Sequence, residues 1–430
     1  MEDEIFNKVD KLYQDNLNKD KIKNNEYKYN INLIPNINNY NIEDSKNFLL
    51  SSKLKIRAKT IEKIKKIPTY EQGTKEWLEA RKGILTATKI SDITGNGYNN
   101  INTLFNELTG KTKRTFTSNI YTRHGNKFEN IARMIYEHLY DSVIEEYGLI
   151  KHYGNFPELN FNDFPRKIND QEINVNFLGA SPDGIVGLTK KDNSFNSKVG
   201  RMLEIKCPYT RKINLSANSS KDAIGKIIPK NYWEQMQLQL EVCNLDSCDF
   251  IQCTIENIEY EDYDKNFTYE IKKGYKGKDI KNYDERIIKG MLIVVVKKSK
   301  YKLYTETKDF DKKEELHEYI YPDTLLKDKE GYLDYIRNKL INDPYIKKNY
   351  ICIGIENWVL RVCHIIQVKR DKEWFNKLYP KLLSFWNSVL EERNKIINGG
   401  DGDNNNKNNK TENKYIETYI LEDEDEDEDE

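Results

Sequence analysis

Leu203-Glu204-Ile205-Lys206-Cys207, preceded by Ser181-Pro182-Asp183-Gly184, is the stretch on which the reading of this chain turns. The later segment reads as a strand. Side chains two apart on a strand point the same way, so Glu204 and Lys206 share a face. Asp183 follows an apolar run and precedes a glycine, so it can lie beside them on a neighbouring strand. Two carboxylates and one amine then converge. Carboxylates suit a hard divalent ion such as Mg2+. A lysine beside the ion can orient or deprotonate an attacking water. That is the minimum equipment for hydrolysing a phosphodiester. The plain alternative is a Pro-Asp-Gly turn with an unrelated Glu/Lys pair, and either piece alone is common. Their order, and the apolar flanks Phe177-Leu178, Ile185-Val186, Leu203 and Ile205, put the charges at the edge of a buried sheet. Buried charges are costly unless paired or bound to metal.

Working outward, Thr74 predicts an N-cap for a helix carrying Trp77 and Arg81. Thr86 starts a second helix that stops at Gly95, and residues 126–140 form a third. Strands follow near 143–153, 175–187 and 201–207. A helix runs from about Tyr232 to Val242, and a strand lies near 248–255. This succession predicts an α/β architecture, a central mixed sheet flanked by helices. Residues 256–350 are charged and tyrosine-rich, with strands at 291–296 and 300–306 and helical patterns at 311–319 and 323–341. They read as an inserted α/β segment. A strand near 358–368 and a helix near 371–396 resume the compact texture.

Upstream, residues 1–40 have no clean period. Residues 43–67 read as a helix, with Leu49, Leu50, Leu54, Ile56, Ile61, Ile64 and Ile67 among lysines and Pro68 at its end. Such a helix either lies on DNA or packs one face on the core. The expected division is an N-terminal extension at 1–67, a main domain at 68–397 with the insertion at about 256–350, and a linker and acidic tail at 398–430. The composition of that tail predicts disorder.

Further polar groups flank the central stretch. Glu129 borders the apolar stripe Phe128, Ile131, Ile135 and Leu139 of its helix and can reach toward the sheet. The plain alternative is a surface pair with Arg133, worth ~0.3–0.5 kcal/mol. Tyr232, Gln235, Gln237 and Gln239 share one helix. Gln235 and Gln239 lie on the same face. Amides and a phenol can position water, phosphate or a base edge, or merely make a polar face. Arg81 with Thr86 and Thr88 can form an anion site, the arginine as a bidentate fork and the helix start giving free N–H groups.

The net charge of -1 conceals an asymmetry. Residues 422–430 are all acidic, and without them 69 basic face 61 acidic residues, a body of +8. A basic body suits a nucleic-acid partner, although a mixed surface with a solubilising tail has the same total. The longest aliphatic run, Met291 to Val296, is too short to span a membrane. Met1-Glu2-Asp3-Glu4 lacks a signal-peptide core. The few cysteines make no disulfide framework, which points to an intracellular, reducing compartment. The spacing of Cys207, Cys243, Cys248 and Cys253 is not that of an iron–sulfur cluster, so buried free thiols are expected. No histidines have zinc-ligand spacing.

These signals follow one order. Trp77-x3-Arg81-x4-Thr86-Ala87-Thr88, Gly125-x3-Glu129, Ser181-Pro182-Asp183-Gly184, Leu203-Glu204-Ile205-Lys206-Cys207-Pro208 and Tyr232-x2-Gln235-x-Gln237 together resemble the YqaJ-type viral recombinase family. That family includes lambda-type exonuclease and lies within the PD-(D/E)XK, restriction-endonuclease-like nucleases. Val368-Lys369-Arg370-Asp371-x2-Trp374-Phe375, then Pro380 and Phe385-Trp386, resemble its closing strand and helix. The similarity spans about 70–395. It implies a restriction-endonuclease-like core, with Asp183, Glu204 and the Ile205 carbonyl binding Mg2+ or Mn2+. Lys206 would activate or orient the water, and Glu129 would be an accessory ligand. Gln235 and Tyr232 would support the site. Arg81, Thr86 and Thr88, with Tyr232 and Gln237, would hold the DNA and its 5′-phosphate. Thr88 stands where the family commonly has serine.

The implied activity is 5′→3′ digestion of one strand of linear duplex DNA, leaving a single strand for an annealing protein. Some family members form trimers. The family and the Asn/Lys/Ile-rich composition suggest a large DNA virus and a place in the host cytoplasm. The competing readings are a structure- or site-specific endonuclease on the same core, and an inactive DNA-binding or packaging protein.

Overall fold

The computed structural model describes residues 42–70, 74–112, 118–161, 165–168 and 170–398, with side chains from Ser52 onward except that of Leu78. The expectations for residues 1–40 and for the linker and acidic tail lie outside the described residues.

The central sheet is mixed. In order from one edge it runs Lys278–Asp279, Glu270–Lys273, Tyr350–Lys369, Ser247–Ile258, Met202–Lys206, Gly184–Val186 and Ile144–Glu145. Gly184 pairs with Leu203 and Ile144 with Val186, both antiparallel. Met202–Lys206 runs parallel to Cys248–Gln252. A parallel pair needs a crossover, and the Lys230–Val242 helix supplies it. Successive strand residues serve opposite faces. Met202 joins the core cluster that holds Met236 and Leu240 of that helix. Leu203 and Ile205 join the cluster of Phe128, Ile131 and Ile135. Helices therefore cover both faces. The succession of helix, three antiparallel strands, helix and parallel strand is that of the expected restriction-endonuclease-like core.

The Ile120–Tyr140 helix starts six residues earlier than the apolar period indicates. The reason is a capping box. Asn119 Oδ1 accepts the Thr122 N–H, and Thr122 Oγ1 accepts the Asn119 N–H. Asp141 ends the helix in the left-handed region at φ 47°. The Ile42–Ile64 helix packs one face on the core through Leu54, Ala58, Ile61 and Ile64 and leaves Ile56 exposed. A helix the sequence reading passes over, Ile101–Thr109, is capped by Asn100 and Gly110.

Several expected elements change. The strand expected at 175–187 is two: Leu178–Ala180 belongs to a small sheet with Leu85–Thr86 and Ile150–Lys151, and Gly184–Val186 to the main one. Ser181-Pro182-Asp183 is the crossing between them. Thr86 ends a short strand rather than starting a regular helix. Ala87–Lys89 is a 3-10 turn, and the helix proper is Ile90–Thr94, closed by Gly95 at φ 84°. The strand expected at 300–306 is a helical turn, Tyr301–Glu306. Its i,i+3 spacing stacks Tyr301 on Tyr304, with ring centroids 6.1 Å apart, where a strand would turn them to opposite faces. The helix expected at 311–319 stops at Glu314, because Glu318–Ile320 pairs with Ile293–Val295. Among the described residues no helix is long and apolar enough to cross a membrane.

Candidate active site

Asp183 and Glu204 meet where the crossing Ser181-Pro182-Asp183 passes the middle of the Met202–Lys206 strand. Asp183 Oδ2 accepts the Ile205 N–H at 2.6 Å. A strand residue presents its N–H and C=O to the same edge, so the Ile205 carbonyl also faces the Asp183 side. Glu204 is fully buried. Its Oε1 accepts from Gln235 Nε2 at 2.8 Å and pairs with Lys206 Nζ at 3.4 Å, and its Oε2 accepts from Gln239 Nε2 at 3.0 Å. The two glutamines come from one helix face, four residues apart, so a single helix clamps both carboxylate oxygens. The Lys206 ammonium lies 4.9 Å over the Tyr232 ring, whose hydroxyl is 3.5 Å from that of Tyr98.

A cleft of about 660 Å³ opens beside this cluster, and Arg81, Thr86, Thr88, Glu129, Asp183 and Gln239 line it. The side chains come from separate parts of the fold. Glu129 stands on the helix that covers the opposite sheet face from Glu204. Arg81 stacks its guanidinium 4.3 Å from the Trp77 ring, on the helix that Thr74 caps. Thr86 and Thr88 are linked through their hydroxyls at 3.2 Å. Asn126, Asn130 and Ser181 also face the cleft.

Burial pushes the Asp183 carboxyl well above the usual carboxylate range, and the Glu204 and Glu129 charges push it further. Lys206 and the Ile205 N–H oppose them. The three carboxylates thus form a group short of positive charge. Among the described residues no three His, Cys, Asp or Glu side chains form a ready cage for an ion. Mg2+ does not demand one, because it keeps several waters and takes one or two carboxylates. Asp183, Glu204 and the Ile205 carbonyl fit that requirement, with Glu129 beside them.

Gln237 does not join the cleft. Its Nε2 donates to the Lys369 carbonyl at 2.9 Å and its Oε1 accepts the Asp371 N–H at 2.6 Å, which ties the helix to the end of the long strand. Tyr232 is buried beneath Lys206 rather than presented to a ligand. Gln239 completes the clamp on Glu204. Its sequence signal is the i,i+4 spacing from Gln235. Cys207, Cys243, Cys248 and Cys253 are buried.

Residues 76–246 match the model of the YqaJ-like viral recombinase domain. An uncharacterized protein, R354, of Acanthamoeba polyphaga mimivirus is 32% identical over 331 residues, covering 76% of this chain and 54% of that protein. The chain therefore spans about half the length of this curated relative. Crystal structures of an alkaline exonuclease (LHK-Exo) from Laribacter hongkongensis, one in complex with dAMP, align at 18% identity and a TM-score of 0.35, covering 76% of this chain and 98% of theirs. Arg81, Thr86, Thr88, Glu129, Asp183, Glu204, Lys206, Gln235 and Gln239 all fall inside the segment that matches the YqaJ-like viral recombinase domain.

Proposed function

We propose that this chain is a Mg2+-dependent deoxyribonuclease that digests linear duplex DNA from its ends, 5′→3′, in viral-type recombination or repair. The observation that carries the reading is the junction of two groups on one cleft. Asp183, beside Glu204 and Lys206, sits at one side, and Arg81, Thr86 and Thr88 line the same space. A carboxylate–lysine cluster alone serves any phosphodiester. An arginine with two hydroxyls in the same cleft suits a terminal phosphate.

Mg2+ or Mn2+, held by Asp183, Glu204 and the Ile205 carbonyl, would supply Lewis-acid stabilisation of the charge that develops on the phosphate. The chain's own residues do the rest. Glu204, clamped by Gln235 and Gln239, fixes Lys206 through their 3.4 Å pair. Lys206, paired with Glu204, donates hydrogen bonds and orients the water that attacks phosphorus. Arg81, Thr86 and Thr88 hold the 5′-phosphate and set the register of the scissile bond. Water oxygen bonds to phosphorus and releases one proton to solvent, the P–O bond to the leaving sugar oxygen breaks, and that oxygen takes a proton from solvent. The strand left behind is ready for an annealing protein.

Digestion of linear against closed circular duplex DNA, with Mg2+ or with EDTA, tests the proposal. Linear DNA should be degraded only with metal, and circles should survive. Cut circles would show an endonuclease instead. Lys206→Ala should abolish cleavage and leave DNA binding intact. Unchanged turnover in that variant would remove Lys206 from the mechanism.

A further inference from the structure

Gln239 is 1% exposed, and its amide has only one possible orientation. Its Nε2 faces Glu204 Oε2 at 3.0 Å and the Ser181 carbonyl at 3.5 Å. A carboxylate and a carbonyl only accept, so the nitrogen must be the atom that faces them. Oε1 is thereby turned away from the clamp. It is buried and accepts a hydrogen bond from no described residue, yet Gln239 lines the cleft. The adjoining Ser181 repeats the pattern. Its Oγ is buried, has no partner among the described residues, and belongs to the same cleft wall as Asp183. Buried polar atoms are ordinarily paired. Both residues belong to the cleft wall that holds Asp183, where one small polar molecule can pair with the two atoms.

We propose that Gln239 Oε1 and Ser181 Oγ hold the attacking water. The water donates one O–H to Gln239 Oε1 and the other to Ser181 Oγ, and Lys206 donates to one lone pair, which leaves the second lone pair for phosphorus. An amide oxygen takes no proton, so Gln239 positions the nucleophile and is not its base. Gln239 then has two duties on its two amide atoms, Glu204 on the nitrogen and the water on the oxygen. This inference rests on the nuclease reading given above.

The test separates the two duties. Gln239→Lys keeps a donor for Glu204 and removes the acceptor. On linear duplex DNA with Mg2+, its kcat should fall roughly 10- to 100-fold, as for a misplaced reactant, with KM unchanged. Ser181→Ala should move kcat the same way by a smaller factor. DNA affinity measured with Ca2+ should match wild type for both. Wild-type kcat in Gln239→Lys would show that only the Glu204 contact matters and would overturn the proposal. So would a raised KM at unchanged kcat, which would assign the oxygen to DNA binding. If Gln239→Lys does not fold, Ser181→Ala, which leaves the Glu204 clamp intact, carries the test, and wild-type kcat in it would overturn the proposal. A wild-type protein that degrades no linear DNA would instead defeat the nuclease reading, with active wild type as the control that keeps the two failures apart.

Discussion

Asp183 carries a cost in the protein without metal. Burial and the charges of Glu204 and Glu129 work against its ionised form, and Lys206 with the Ile205 N–H only partly answers them. Asparagine keeps an oxygen for the Ile205 N–H and removes the charge. Asp183→Asn should therefore raise the metal-free stability, by on the order of 1 kcal/mol, and with it the unfolding midpoint, as is common when a strained site is neutralised. It should also abolish stabilisation by added Mg2+, since only a ligand that binds the native state shifts the midpoint. Thermal melts of both proteins with and without Mg2+ check this. A midpoint that falls in the metal-free variant would mean that the carboxylate is well compensated as it stands.

The Lys230–Val242 helix works on two sides. One presents Gln235 and Gln239 to Glu204. Another buries Glu241, whose Oε2 accepts from Arg370 Nε at 3.1 Å and Nη2 at 2.6 Å while Arg166 meets its Oε1. His152 stands behind, and its Nδ1 accepts the Gly154 N–H at 3.0 Å, so Nε2 carries the proton and faces Glu241 Oε1 at 3.7 Å. Burial alone would push the Glu241 carboxyl up. His152, Arg370 and Arg166 outweigh it and hold the carboxyl well below the usual range. A carboxyl with a depressed folded pKa stabilises above its unfolded value and loses that contribution as pH falls through the folded one. The stability gap between wild type and Glu241→Gln should thus be full above about pH 5 and shrink steadily below about pH 4. Glu241→Ala, which strands two arginines, should cost about 3–5 kcal/mol. Urea unfolding across pH measures both, and a gap that widens in acid would contradict the assignment.

The long strand Tyr350–Lys369 organises the whole molecule. One edge pairs with Ser247–Ile258, and the other is shared by Lys289–Lys297 and Glu270–Lys273. The 256–350 segment therefore adds strands to the central sheet. Its Ile287, Ile288, Leu292, Val294 and Leu325 pack in the same cluster as Phe128, Ile131 and Ile135 of the Glu129 helix. Arg123 of that helix pairs with Asp311 at 2.7 Å and Glu314 at 3.0 Å, and the Tyr321 hydroxyl donates to the Lys127 carbonyl at 2.8 Å. The segment is a buttress for Glu129. Ile258 and Asn357 are register partners, so a two-residue turn replacing 259–356 can join them directly. That protein should still aggregate or lose cooperative unfolding, because it exposes an apolar helix face and an unpaired strand edge. Size-exclusion chromatography and thermal melts decide. A monomer that melts cooperatively near the wild-type midpoint would show the segment to be dispensable.

The sequence by itself determined the main helices and strands of the core and the common strand face of Glu204 and Lys206. Alternation along Leu203-Glu204-Ile205-Lys206 assigns each side chain to a face through local backbone geometry alone, and Gly95 likewise announces its own left-handed turn. Short exposed pieces such as Tyr301–Glu306 were not legible, because a few residues fit a strand or a helical turn and packing chooses between them. Glutamines were the other limit. The i,i+4 spacing puts Gln235 and Gln239 on one helix face, but an amide can face any acceptor. Only the tertiary structure decided that these two grip Glu204 and that Gln237 ties Lys369 to Asp371. It alone brought Glu129, Arg81 and Thr88 to one cleft, because those contacts join residues far apart in the chain and depend on how whole layers dock.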